Sequence, residues 1–400
     1  MNATGIIVEY NPLHNGHLYH INKSRELTGC DAIVAVMSGN FVQRGEPAFI
    51  DKFTRTRMAL ISGADLVLEL PLIYSISSAE GFAFGGISLL NATGIINSVC
   101  FGSEAGSLEQ LDKIADILNK EPEAYRLLLK DHIKSGMSYA ASRESALREY
   151  ASDAGFKIDE SISSSNNILS IEYLKALKKT NSSIKPYTIK RIGSCYNQQS
   201  IEGSISSATA IRKSLESAMS AGCLPSYCIS LISSLSKEGR GPVYMEDLSD
   251  IILFTLRSRS LSELSRLQDV NEGLEYRIKK ASENCGCISE VVNQVKNKRY
   301  PETRIQRILL YALFNITKEA GLKVKCPPDY IRVLGFNSKG REALGHIKAC
   351  CTIPVITNPS PKEEELMRYD LMSTDIYSLC FKNPYYRKAR MDFKTPPVIL

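Results

Sequence analysis

The sequence has no tryptophan, and only five of its 400 residues are histidine. No apolar run reaches the roughly 18 to 20 residues that a membrane helix needs. The longest apolar stretches, such as DLVLELPLIYS, carry charges. No basic region followed by an apolar run opens the chain, so the expectation is a cytoplasmic protein without a signal peptide and without a membrane partner. A strong charge of one sign is also missing. The net charge of +6 is weak as a sign of nucleic-acid binding by itself. The cysteine spacing argues against a zinc site, which usually wants paired C-x2–4-C units. The eleven cysteines are odd in number and scattered; the tightest groups are Cys285 with Cys287, and His346 with Cys350 and Cys351. They read as reduced thiols packed as small hydrophobes, with no resident metal expected. There is no internal repeat and no low-complexity tract.

What is there is a regular alternation. TGIIVEYN (4–11), DAIVAVMSG (31–39), DLVLELPL (65–72), INSVCFGSE (96–104) and IKPYTIKRIG (184–193) are short apolar runs of the buried-strand type. Helical spacing separates them, as in GHLYHINKSRELTG, KFTRTRMALISGA and GFAFGGISLLNATG. The pattern predicts an α/β fold, with a Rossmann-like, parallel five-stranded sheet covered on both faces. A helical insertion is expected at about 105–165, and a long Ser/Gly/Asn/Gln loop over SCYNQQSIEGSISS. After Gly222 the strand signal fades, apart from a possible last strand near CTIPVITN. The expected division is a catalytic unit over 1–220 and a mainly helical unit over 221–400.

Three of the five histidines, His14, His17 and His20, fall in NPLHNGHLYH. That stretch ends the first strand and opens the first helix. Ligands of doubly wound sheets bind at this edge. Helix N-termini favour phosphate, and Gly16 lets a backbone approach closely. His14 and His17 could therefore stabilise charge on an α-phosphate. The competing reading is helix capping, for which Asn15 alone would suffice. His20 fits either reading.

HNGH resembles the H-x-G-H motif of the nucleotidyltransferase superfamily, which is related to class I aminoacyl-tRNA synthetases. ISSATAIR (205–212) resembles its I-S-S-T-x-I-R signature, with Ala208 where threonine is usual and Thr209 next to it. GIIVEYNPLHNGHLYHI, VMSGNFVQRGEPA, DKFTRTRMAL, ADLVLELP, CFGSE, NNILSIEYLKALKK, IKRIGSCYN and KNKRYPETRIQRILLYALFNI occur in one order across nearly the whole chain. Together they resemble the tRNA(Met) cytidine acetate ligase family. The resemblance implies the H-x-G-H nucleotidyltransferase fold and an enzyme that activates acetate with ATP as acetyl-adenylate. The acetyl group would then move to N4 of the wobble cytidine of elongator tRNA(Met), leaving AMP and diphosphate.

Carried onto this chain, the resemblance places ATP along Ile7, Val8, Glu9, Tyr10 and Asn11, then Pro12, Leu13, His14 and Asn15, then Gly16, His17, Leu18, Tyr19 and His20. It adds Gly102, one of Asn166 and Asn167, and Arg191 with Ile192. Ser206, Ser207, Thr209 and Arg212 of the second motif would hold the β- and γ-phosphates, with Mg2+ accompanying ATP. His14, His17 and Arg212 are the expected catalytic groups. No general base or acyl-carrying cysteine stands out, and no obligate protein partner is evident.

Arg44 and Lys52 lie after the second strand and could meet phosphate or tRNA, while Glu46-Pro47 reads as a turn. Lys296, Lys298, Arg299, Arg304 and Arg307 form a basic run beside Tyr300, a possible stacking surface for RNA. The bland reading of that run is a solvated helix face. A second function remains open from the motifs alone: a small-molecule nucleotidyltransferase acting on a phosphorylated metabolite. A third is an RNA-binding protein on a vestigial nucleotide fold.

Overall fold

The computed structural model describes residues 1–191 and 206–400. Five strands form the parallel core of one sheet: β1 (Ala3–Val8), β2 (Ala32–Ser38), β5 (Leu66–Leu70), β6 (Ile96–Ser103) and β7 (Lys185–Lys190). They run in the order β5-β2-β1-β6-β7. Two further strands, β3 (Phe41–Val42) and β4 (Glu46–Pro47), make a small antiparallel hairpin just after β2. The order reverses at β1, so a crevice opens beside its carboxyl end.

The strands look continuously apolar because both faces are covered. Alternate side chains still separate the two layers. Val34 and Val36 of β2, with Leu66, Leu68 and Leu70 of β5, join one core. Ile33, Ala35 and Met37, with Val67, join the other. The first face is covered by α3 (Ala79–Ala92), α4 (Ser165–Lys179) and α7 (Ser338–Cys350) through Ile87, Leu90, Leu174, Leu177 and Leu344. The second is covered by α1 (Asn15–Thr28), α2 (Lys52–Ile61) and the helix Ser226–Glu238 through Ile21, Met58 and Ile232. Truncating one such leucine to alanine costs about 2–5 kcal/mol. Between α3 and α4, three helices at Leu108–Lys120, Glu123–Lys134 and Tyr139–Asp153 occupy the expected insertion.

The five-stranded expectation needs a correction. Among the described residues the sheet has eight strands, because the C-terminal part returns to it. β8 (Ile331–Phe336) pairs antiparallel with β5, and β9 (Val355–Ile356) and β10 (Val398–Ile399) pair parallel with β8. β8 is buried throughout, but Arg332 interrupts its apolar pattern. That charge is matched by Asp392, 3.7 Å away and far along the chain. The rest of the C-terminal part is mainly helical. A separate core packs around α6 (Glu302–Phe314), with Leu256, Ile278, Val292 and Leu309. The hairpin is bound to this core: Phe41 meets Phe314 edge to face at 4.9 Å.

Candidate functional site

A cavity of about 540 Å3 lies along the carboxyl ends of the parallel strands. Its middle is made by the segment after β1. Tyr10 has a left-handed backbone (φ 51°) that a non-glycine residue rarely adopts. Its fully buried ring, edge to face with His17 at 5.1 Å, holds it there. Arg55 of α2, also fully buried, fixes the same region. It donates to the carbonyls of Glu9 (2.6 Å), Ser38 (3.0 Å), Ile50 (2.8 Å) and Gly39, tying the ends of β1 and β2 together.

His14 is the N-cap of α1. Its Nδ1 accepts from the Gly16 N–H at 3.1 Å, and Nδ1 of His17 accepts from the His14 N–H at 3.3 Å. The two histidines thus form a capping box, the role usually taken by serine and glutamate. Asn15 does something else: its side chain donates to the Gly222 carbonyl at 2.8 Å. Capping and chemistry are therefore not alternatives here. A backbone N–H occupies each Nδ1, so each neutral ring carries its proton on Nε2. The rings lie 3.8 Å apart. Burial, then the positive charges of Arg191 and Arg212, lower the pKa of His14 to about 3. Burial, His14, Arg191 and His20 lower that of His17 well below its ordinary value. Both rings are neutral donors at pH 7 that line the cavity.

Arg212 closes the middle of the cavity. It lies on α5 (Ala208–Lys213), donates to the Asn11 carbonyl at 2.8 Å and pairs with Glu46 at 3.4 Å. Ser207 caps that helix by accepting from the Ala210 N–H. One end of the cavity, beyond β6 and β7, is lined by Gly102, Asn166 and Arg191. The other end is lined by Gln43, Arg44 and Glu46 of the hairpin and by Thr303 and Arg307 of α6. At Gly45 (φ 82°) a Cβ would stand 2.5 Å from the Arg307 nitrogen, so glycine there permits the hairpin to sit on α6.

The family described as HIGH Nucleotidyl Transferase matches residues 1–392. Proteins named tRNA(Met) cytidine acetate ligase from Acetivibrio thermocellus and Caldanaerobacter subterraneus are 44% and 46% identical, each over 100% of both chains. The chain belongs to the tRNA(Met) cytidine acetate ligase family. Two crystal structures of TmcAL from Thermotoga maritima, covering 100% of both chains, superpose with TM-scores of 0.95 (apo, 38% identity) and 0.93 (bound with alpha-thio ATP, 37% identity).

Against the residues that the family resemblance singled out, the structure sorts as follows. Ile7, Val8, Glu9, Tyr10, Asn11, His14, Gly16, His17, Tyr19 and His20 line the cavity, as do Ser206, Ser207 and Thr209. Pro12, Leu13, Asn15 and Leu18 do not. Leu13 is core. Of the two asparagines, Asn166 faces the cavity, whereas Asn167 is buried and accepts from the N–H groups of Glu104 and Ala105. Ile192 lies outside the described residues. His20 lines the cavity; burial and Arg191 lower its pKa to about 4, against a hydrogen bond with the Cys100 backbone.

The residues expected at tRNA divide. Lys52 is a correction: it is fully buried, 2.8 Å from both Glu69 and Asp392, and meets no outside ligand. An unpaired lysine at that depth would be untenable, and the sheet supplies its partners. Tyr300 is also buried, its hydroxyl donating to Glu272 at 3.1 Å, so it offers no stacking face. Arg304 lies over the Tyr300 ring, Lys296 pairs with Glu302, and Arg299 pairs with Glu272. Lys298 is exposed. Arg307 and Arg44 turn into the cavity. Sequence reasoning missed Gln43, Phe82 and Thr303 as cavity residues; Phe82 looks like any core residue of a small-residue helix, and nothing local marks Thr303.

Among the described residues, no group of three or more His, Cys, Asp or Glu is placed to hold a metal ion. The two carboxylates on the cavity are engaged, Glu9 with the Gln43 N–H and Glu46 with Arg212. Among the described residues, then, no metal site is formed by protein side chains alone. Among the same residues, no helix is long and apolar enough to cross a membrane.

Proposed function

We propose that this chain joins acetate to N4 of the wobble cytidine of elongator tRNA(Met), using ATP and passing through acetyl-adenylate. The observation that carries the reading is the pair of neutral imidazoles at His14 and His17. Their Nδ1 atoms are taken by backbone N–H groups, and both rings line a cavity at the sheet edge. Such a pair presents preorganised Nε2–H donors to an anion that gains charge in the transition state. It does so without carrying a charge that would trap diphosphate after the reaction.

In the first step an acetate oxygen attacks the α-phosphorus and diphosphate leaves. His14 and His17 donate to the phosphate oxygens, and Arg212 neutralises charge toward the departing end. Positioning two anions and screening their repulsion is most of the catalysis needed. Mg2+ accompanying ATP would be held chiefly by the phosphates and would neutralise part of their charge. In the second step the cytidine, unstacked from the anticodon, attacks the acetyl carbon and AMP leaves. A tRNA substrate supports a cytoplasmic enzyme. The assay combines ATP, labelled acetate and tRNA(Met), and follows diphosphate and label in RNA. Acetate-dependent diphosphate with label in the RNA is the expected result. Diphosphate release without labelled RNA overturns the reading in favour of a small-molecule reaction.

A further inference from the structure

The acyl-transfer step has an acceptor problem that the ATP site does not solve. The amine of cytosine is a weak nucleophile, because its lone pair is delocalised into the ring. It must lose a proton as it attacks. The groups facing the cavity can be taken in turn. His14 and His17 present only protonated Nε2, since Nδ1 of each accepts a backbone N–H. Arg44, Arg191, Arg212 and Arg307 are donors without acceptor capacity. His20 stands at the Arg191 end of the cavity: one nitrogen meets the Cys100 backbone in β6, and its Nε2 is buried without a hydrogen-bond partner among the described residues, away from the hairpin. Glu46 is paired with Arg212. Glu9 remains.

Glu9 directly follows β1, at the point where the strand order reverses. On one side lie Gly102, Asn166 and Arg191, beyond β6 and β7. On the other lie Gln43, Arg44, Thr303 and Arg307, from the hairpin and α6. The Gln43 N–H donates to Oε1 of Glu9 at 2.7 Å, which turns the carboxyl toward the hairpin side. Burial raises the pKa of this group, while the Gln43 N–H and the charges of Arg212, Arg55 and Arg44 hold it down. Burial thus makes this carboxyl more basic than one in water, and the Gln43 N–H orients it.

We propose that Glu9 is the general base of acyl transfer, accepting the proton of the cytosine amine at the hairpin end of the cavity. The carbon–nitrogen bond forms as the carbon–oxygen bond to adenylate breaks. AMP leaves with the electron pair, and the N4 proton passes to Oε2 of Glu9. The same carboxylate accepts a hydrogen bond from the amine before reaction, so it discriminates cytosine from uracil, which has an oxygen at that position. The cytosine then sits between the hairpin and α6, with Thr303 and Arg307 beside it.

This rests on the ligase reading above, and the test separates the two. Hydroxylamine is a strong nucleophile that needs no protein base and traps acetyl-adenylate as acetohydroxamate. Wild-type enzyme with ATP and acetate should form hydroxamate; if it does not, the ligase reading fails, whatever Glu9 does. Given that it does, Glu9→Gln should reduce acetyl transfer to tRNA by about 100-fold more than it reduces hydroxamate formation. Glu9→Asp, which keeps a base but withdraws it, should fall between Glu9→Gln and wild type in that ratio. Equal losses in the two readouts, or none in either, overturn the proposal. Should Glu9→Gln not fold, the Glu9→Asp ratio decides alone: an unchanged ratio sinks the role of base.

Discussion

Two groups of buried polar side chains sit near β2 and have opposite fates. Around Lys52, charge is matched to charge: Glu69 and Asp392 stand 2.8 Å away, and Arg332 lies 3.7 Å from the same Asp392 oxygen. Around His14, backbone N–H groups take one nitrogen of each ring, and the other nitrogen remains for a ligand. The first group pairs its charges within itself and serves the fold. The second is incomplete without an anion, and that incompleteness is what a binding site looks like when it is preorganised. The lesson is that burial of a charge says little about function until its partners are counted.

The largest expected effect that tests this contrast is on Lys52. Lys52→Ala leaves Glu69 buried without its cation and should cost about 3–5 kcal/mol of stability, read in denaturant melts. Activity should fall only with the folded fraction. A variant that keeps its stability and loses tRNA binding would put Lys52 back among the RNA contacts.

His17→Ala should act the other way round. Loss of one preorganised donor should slow acetate-dependent diphosphate release about 100- to 1000-fold. The affinity for tRNA should stay within about twofold, because the hairpin and α6 are untouched; in the Lys52 variant both would fall together. Gel-shift titration beside the diphosphate assay distinguishes them, and a large loss of tRNA affinity in His17→Ala counts against the division.

The two groups also differ in acid. His14 holds a pKa of about 3 in the fold against an ordinary 6.5. The unfolded chain therefore binds a proton that the folded chain refuses in that window. The contribution of His14 to stability is full above 6.5 and is lost as pH falls toward 3, by about 1.4 kcal/mol per unit. His20, lowered to about 4, adds in the same direction. Thermal melts between pH 7 and 4 should show the loss, and His14→Gln should flatten it; an unchanged slope would mean the ring is not held neutral by the fold.

The smallest effect is expected at the surface. Lys298→Ala should weaken tRNA binding only a few-fold and reduce the salt dependence of binding by about one ion. A larger effect would make the run after Val295 a principal contact despite the ion pairs that engage Lys296 and Arg299.

The parallel strands and the position of the histidines were legible because both rest on local pattern. Apolar runs such as AIVAVMS and the turn at Asn11-Pro12 need no distant partner to be read. β8 was not legible, since Arg332 breaks its run and its neutralising carboxylate lies near the C-terminus. Asn15 looked sufficient as a cap, yet the histidines took that role, because Asn15 finds the Gly222 carbonyl across the chain. Arg307, read beside Arg304 on one basic face, instead turns into the cavity under the hairpin.

By itself, then, the sequence determined the five parallel core strands, the helix starts and the residue types set along the ligand edge. These follow from side-chain periodicity and backbone preference within a few residues. Only the tertiary structure decided which charges are spent on one another and which face a substrate. Lys52 and Asp392 are 340 positions apart. No local pattern encodes such a pairing, because the energy of a charge depends on what the fold brings within a few ångströms of it.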